Sequence, residues 1–431
     1  MKEIILHYLW LHKRFDVTDI FTIKNEKIEI LHSGQYLQTS GPDFFNAQLI
    51  INNQKWAGNV EIHVKSSDWY SHQHEIDKHY DNVILHVVWE HDTEVYRKDK
   101  TEIPVLELKN FVPNETLQKI EKLLQKKSWI NCENIIDTIS DFSWLSWKES
   151  LFFERLEKKS SLVFNVLEDS NNDWESVCFM FLAKNFGLNI NGTAFFEMAK
   201  SLPFLVIRKE SSNVKQLEAL FLGKSNLLNE NFQDEYVKEI KSIWEFQKAK
   251  YALVEQKDIQ TQFYKLRPDN FPTIRLAQLA SLYSKYQNFF EVLVNVSTLS
   301  EVKTILKVDV SEYWQNHYNL DKISKKKIGK VSDRFIELIL INTIVPLQFA
   351  YQKYKGEEDF ESILKLLREV KPESNAIIER FSALNISIED AFDSQALLQL
   401  KNEYCDFQKC LKCRIGIEIL QKSNTFEETK S

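Results

Sequence analysis

Residues 58–88, GNVEIHVKSSDWYSHQHEIDKHYDNVILHVV, hold five of the chain's ten histidines: His63, His72, His74, His79 and His86. Nine of the ten lie before residue 92. Within this stretch Glu61, His63 and Lys65 alternate, and a strand sends residues i, i+2 and i+4 to one face. Eighteen residues before Glu61 stands Asp43, in GPDFFNA, just ahead of another strand-like run. If the two runs pair, Asp43 approaches Glu61. Two carboxylates and an imidazole then form a site for Mg²⁺ or Mn²⁺, which favour oxygen and accept nitrogen. Such an ion polarises a phosphodiester and lowers the pKa of an attacking water, with His63 or Lys65 orienting it. The plainer alternative is that GPD is only a turn and that Glu, His and Lys keep an exposed strand face soluble.

His72 and His74 form an H-x-H pair beside this group, as further metal ligands or proton shuttles. On a continuous helix His72 would share its face with His79 and not with His74. His86 sits in an apolar strand and reads as a buried, hydrogen-bonded core residue. A zinc hydrolase is the rival chemistry, but no H-E-x-x-H helix is present. A second metal-binding pattern is Cys405-x₄-Cys410-x₂-Cys413, three thiols in nine residues. Zinc needs four ligands, and Cys132 is the leading fourth; Cys178 lies in an apolar helix and reads as core. Reduced, unligated thiols are the alternative. Arg267 and Arg275 flank a proline-marked helix start in KLRPDNFPTIRLAQLA. They could meet a phosphate there or simply pair with nearby acids.

The elements that must position these residues divide in two. Strand-like runs fall at 27–34, 47–53, 57–64, 82–91 and 103–108, after a helix over 2–14. A short helix interrupts them at 67–80, with Asp68 as its cap. From residue 113 the apolar residues recur every three or four positions, and helices follow to the end. The fold class is thus an α/β (α+β) domain with a small mixed sheet over 1–112, then a larger, mostly helical region over 113–431 carrying the C-terminal cysteine cluster. The last polar stretch, KSNTFEETKS, reads as a frayed end.

Composition narrows the functional classes. With 431 residues, more than one core is expected. Residues 1–110 carry 12 Lys+Arg against 17 Asp+Glu, a net −5 of the whole chain's −7. That excludes a strongly basic nucleic-acid surface around the histidines and suits a cation site. No apolar run reaches membrane-spanning length and no secretory leader is evident, so no membrane partner is expected. Five unevenly spaced cysteines suit a reducing cytoplasm better than a disulfide framework.

Pro42–Asp43, then Glu61-x-His63, on a helix–strand–strand–strand–helix–strand order, resembles the core of the PD-(D/E)XK nucleases over about residues 1–95. The resemblance implies a metal-dependent nuclease or phosphodiesterase with nucleic acid as partner. It departs at His63, where that family has lysine; Lys65 on the same face is the substitute. Some members carry an iron–sulfur cluster on one distant and three clustered cysteines, which makes [4Fe–4S] the alternative to zinc here. The stretches GPDFFNAQLI, GNVEIHVKSSDWYSHQH, YDNVILHVV, LRPDNFPTIRLAQLA and INTIVPLQFAYQKY, in this order, resemble the bacterial family DUF2851, which brings no activity with it. The alternative to an enzyme is an interaction or scaffold protein on a degenerate nuclease-like core. Protein partners are not indicated.

Overall fold

The run EIILHYLWL folds as helix α1 (Glu3–Leu11), with every residue from Ile5 to Trp10 buried. Strands β1 (Ile20–Phe21), β2 (Lys27–His32), β3 (Gln35–Tyr36), β4 (Phe44–Ile51) and β5 (Gln54–Lys65) follow. Helix α2 (Asp68–Ser71), β6 (Val83–Glu90), β7 (Val105–Glu107) and helix α3 (Asn114–Leu124) complete the N-terminal series. The computed structural model describes residues 1–37, 41–125, 128–254, 258–325, 327–357 and 359–422. Most of the terminal KSNTFEETKS stretch lies outside them.

The strands form one mixed sheet in the order β1-β2-β4-β5-β6-β7, with β3 paired to β4. The β4–β5 register comes from a two-residue turn, Asn52–Asn53, with φ of 51° and 65°. Positive φ at both positions matches the turn type whose twist suits a hairpin, and asparagine tolerates it. A bulge between Phe44 and Ala47 then pairs Phe44 with Val60, so Asp43 falls opposite Glu61. Strands β5, β6 and β7 run parallel. Parallel neighbours need a crossover, and residues 66–82 are that crossover, carrying His72 and His74.

The centre of the sheet, where β5 pairs with β6, is buried on both faces, whereas β2 and β4 expose one. Leu6, Leu9, Trp10, Phe44, Val60, Ile62, Leu85 and Val87 join one cluster with Ile120 and Leu123 of α3 and with Leu411 and Leu420. Trp69, Tyr80, Val83, Val88 and Val105 form a second cluster.

The chain divides into two compact units. The first is 1–147 with 383–386 and 399–431; the second is 148–382 with 387–398. Helical patterning does begin near 113, but α3 packs on the sheet, so the contacts divide later than the change of pattern at 112/113. The division falls within helix α4 (Asp141–Asp169). The second unit is mostly helical, with one two-stranded ribbon (His317–Asn319 with Lys322–Ile323), and holds a buried Lys148–Asp393 ion pair, Nζ to Oδ1 2.9 Å. One helical stretch among the described residues, Asp333–Lys355, is long and apolar enough, by length and composition, to cross a membrane. Its most apolar window is 72% buried in protein, as a core helix would be.

Candidate metal centre

Asp43 and Glu61 meet as the hairpin register dictates. The Asp43 backbone N–H donates to Glu61 Oε2 at 3.1 Å, and the Ile62 N–H donates to Asp43 Oδ2 at 3.0 Å. Helix α1 adds a residue that sequence reasoning missed: His7 Nε2 lies 3.2 Å from Asp43 Oδ2 and 3.7 Å from Glu3 Oε1. His7 Nδ1 is 3.1 Å from the Tyr36 hydroxyl, and the buried Nε2 makes no hydrogen bond. Its only sequence signal is the i, i+4 spacing from Glu3 on an otherwise apolar helix. Burial pushes the Glu61 carboxyl up to about 9, with the Asp43 charge adding to it. The Asp43 charge beside it disfavours the ionised form of Glu61.

His63 projects from β5 beside Glu61, its Nε2 3.5 Å from Glu61 Oε1. Its other nitrogen meets His86 Nε2 of the neighbouring strand β6 at 2.9 Å. His86 is fully buried, as expected, yet it is not merely core: it contacts the imidazole that faces the carboxylates. The segment 67–80 is not one helix. Helix α2 ends at Ser71, and Gln73 takes φ 61°, turning the chain back so that His74 N–H reaches Trp69 O at 3.0 Å. His72 and His74 thereby both face β5, correcting the helical spacing argument. His72 Nδ1 lies 3.0 Å from His63 Nε2, and His74 Nε2 lies 3.3 Å from Glu61 Oε1. His74 is stacked on Tyr80 at 3.7 Å between centroids and on His63 at 5.3 Å, which fixes its ring. His79 is exposed and bonds only to its neighbour Asp77 among these groups, at 2.8 Å. Burial, with the adjacent imidazoles, holds His63 down at about 2 and His86 at about 3. Both are neutral at physiological pH, and a neutral imidazole offers a lone pair to a metal.

Lys65 is exposed at the end of β5, where the charge it meets is Asp92. It is not among the groups that touch the carboxylates. Arg267 is exposed. Arg275 is buried, its guanidinium 3.4 Å from the Phe335 ring centroid and donating to Asn270 Oδ1 at 2.5 Å and Gln278 Oε1 at 2.8 Å. Those contacts are with amide oxygens and a ring rather than with acids, and its Nε is left without a partner.

A family model described as "Protein of unknown function (DUF2851)" matches residues 3–376. The chain belongs to DUF2851. No curated protein and no solved structure matches it. The match takes in every residue of the carboxylate–histidine group.

The cysteines of this DUF2851 protein are all free of disulfides. Cys132, Cys405, Cys410 and Cys413 line one small cavity with Asn131, Tyr404 and Gly416. Asn131 Nδ2 donates to Cys410 Sγ at 3.6 Å, and the N–H groups of Ile415 and Gly416 point at Cys413. Helix Arg414–Gln421 comes so close that a Cβ at Gly416 would sit 2.2 Å from Cys410 O. Burial raises all four thiols, Cys413 to about 11. Cys178 is buried core, as its apolar helix implied.

Proposed function

We propose that this protein is a metal-dependent phosphodiester hydrolase, a nuclease in its simplest form, acting through Asp43 and Glu61. The observation that carries it is the mutual clamp of these two carboxylates beside the bare Nε2 of His7. That set of hard oxygens with one imidazole suits Mg²⁺ or Mn²⁺. The bound ion would supply Lewis-acid polarisation of the phosphoryl oxygen and an acidified water. The chain's own part is to hold the two carboxylates fixed through the Asp43 and Ile62 backbone N–H groups, with His63 beside Glu61. The resemblance of Pro42–Asp43…Glu61-x-His63 to PD-(D/E)XK nucleases agrees with this. Nucleic acid is the substrate class, and a reducing cytoplasm suits the free thiols. The test is incubation of the purified protein with linear, circular and single-stranded DNA, and with RNA, plus Mn²⁺ or Mg²⁺. Cleavage that Asp43→Ala abolishes supports the proposal. An intact binder that never cleaves would favour the interaction-protein alternative.

At the cysteines we propose an iron–sulfur cluster rather than zinc. Tetrahedral zinc holds its sulfurs about 3.8 Å apart, from Zn–S near 2.3 Å. Among the described residues the three-ligand group within 4.8 Å is His63, His72 and His74, and no three of these sulfurs meet that spacing. Four thiols set wider around a cavity, with N–H donors on two of them, suit a larger inorganic core whose sulfurs accept hydrogen bonds.

A further inference from the structure

Five side chains gather around the carboxylate pair, and they are of two chemical kinds. On one side stand Asp43, His7 and Glu3; on the other stand His63, His72 and His74, with Glu61 between them. One ion cannot use them all. The second group has its own geometry. His63 Nε2 to His72 Nδ1 is 3.0 Å, His63 Nε2 to Glu61 Oε1 is 3.5 Å, and His74 Nε2 to Glu61 Oε1 is 3.3 Å. The ligand atoms of the three histidines all lie within 4.8 Å of one another. A four-coordinate ion with bonds of 2.0–2.1 Å spaces its ligand atoms roughly 3.3 Å apart. Three measured edges scatter about that value.

We infer that His63, His72, His74 and one oxygen of Glu61 form a second cation site, selective for a borderline ion of the zinc and cobalt class, with Glu61 shared between it and the Asp43 site. Three imidazoles favour such an ion over magnesium, which prefers oxygen. His86 serves as its positioning residue. A cation at His63 Nε2 requires the proton on Nδ1, and His86 Nε2 stands 2.9 Å away to accept it. Metal-bound histidines regularly give their other N–H to such a partner. The crossover supplies the remaining rings, His72 at its exposed edge and His74 pinned by Tyr80. The lysine expected two residues after Glu61 is thus replaced in kind: a bound cation supplies the positive charge that an ammonium would bring. The inference rests on the proposed hydrolase for its purpose but not for its test.

That test is metal binding by the whole purified chain, stripped with a chelator and reloaded with Co²⁺ alone, Zn²⁺ alone, or Mn²⁺ alone. Wild type should take up two equivalents of Co²⁺. One should show the intense visible absorption of a four-coordinate, nitrogen-rich cobalt centre. Asp43→Ala should keep that band and lose the Mn²⁺ site. His72→Ala, at an exposed position where folding is not at stake, should bleach the band and weaken Zn²⁺ about 10–100-fold while Mn²⁺ still binds. His74→Gln should do the same, with its fold checked by circular dichroism. A band unchanged in both histidine variants, or a single site lost with Asp43→Ala, overturns the inference. If cleavage is never seen but the band behaves as stated, the cation site stands and the hydrolase falls; the reverse pattern separates them the other way.

Discussion

At the scale of single residues, Asp43, Glu61 and His63 were legible because strand alternation and one antiparallel pairing suffice to bring them together. His7 and His74 were not. His7 hides in an apolar helix, and His74 depends on one left-handed residue, Gln73, that helical periodicity gives no reason to expect. Glu61→Gln keeps size and hydrogen bonding but removes the charge a hard cation needs. It should abolish Mn²⁺ binding by calorimetric titration with the fold intact; equal affinity in both proteins would refute the assignment. His63→Ala should lose cleavage and metal, and should also cost about 1–3 kcal/mol in stability because it leaves the buried His86 without its partner. His63→Lys should keep cleavage, because an ammonium replaces the charge, while giving up the cobalt band. Identical behaviour of wild type and both variants would end the catalytic account. Sequence alone made His86 a stability residue, worth about 1–3 kcal/mol as a buried hydrogen-bonding group, with no effect on metal. Its bond to His63 changes that expectation: His86→Leu should also weaken Zn²⁺ about tenfold or more, readable by competition with a chromophoric chelator.

At the scale of elements, most of the strands fell where the sequence placed them, within a few residues. The very short β1 and β3 were missed, since two residues carry no periodicity. The Asn52–Asn53 turn is the element on which the site's geometry hangs. Asn53→Val places a β-branched residue at φ 65° and should cost on the order of 1–2 kcal/mol, measured by urea unfolding; Asn53→Gly should cost nothing. The helical unit offers a pH prediction. Burial raises Glu218 to about 7, outweighing the hydroxyls of Tyr236 and Ser311, which donate to its carboxylate and favour the ionised form. The folded pKa exceeds the unfolded 4.5, so the protonated form is favoured by folding. That stability is present below about pH 4.5 and is lost as the pH rises through 7, up to about 3 kcal/mol at 1.36 kcal/mol per unit. Unfolding midpoints should therefore fall between pH 5 and pH 8, and Glu218→Gln should flatten the slope.

At the scale of the molecule, the mixed sheet followed by helices was visible in the change of apolar period, from two to near four. The true division was not, because α3 looks like any other amphipathic helix until its apolar face is seen against the sheet. Nor could spacing show that Cys132 joins cysteines almost three hundred positions later; only the closure of the first unit by the end of the chain brings them together. Protein purified without oxygen should carry iron and acid-labile sulfide in stoichiometric amount, and Cys132→Ser should lose both. Zinc in place of iron, or neither metal, would refute the cluster.

The first unit starts before the second in the chain and finishes after it. Leu411 and Leu420 complete the core under the sheet, and Arg14 Nη2 holds Leu420 O at 2.6 Å. During translation roughly 250 residues, about 12–50 s at 5–20 residues per second, separate the two main stretches of this unit. Throughout that interval one sulfur of four is present and the apolar floor lies open. A polypeptide ending before Gln399 lacks Leu411 and Leu420 of the core and three of the four thiols around the cavity. If the proposed cluster forms, its iron content would report that the stretch beginning at Gln399 has joined the first unit.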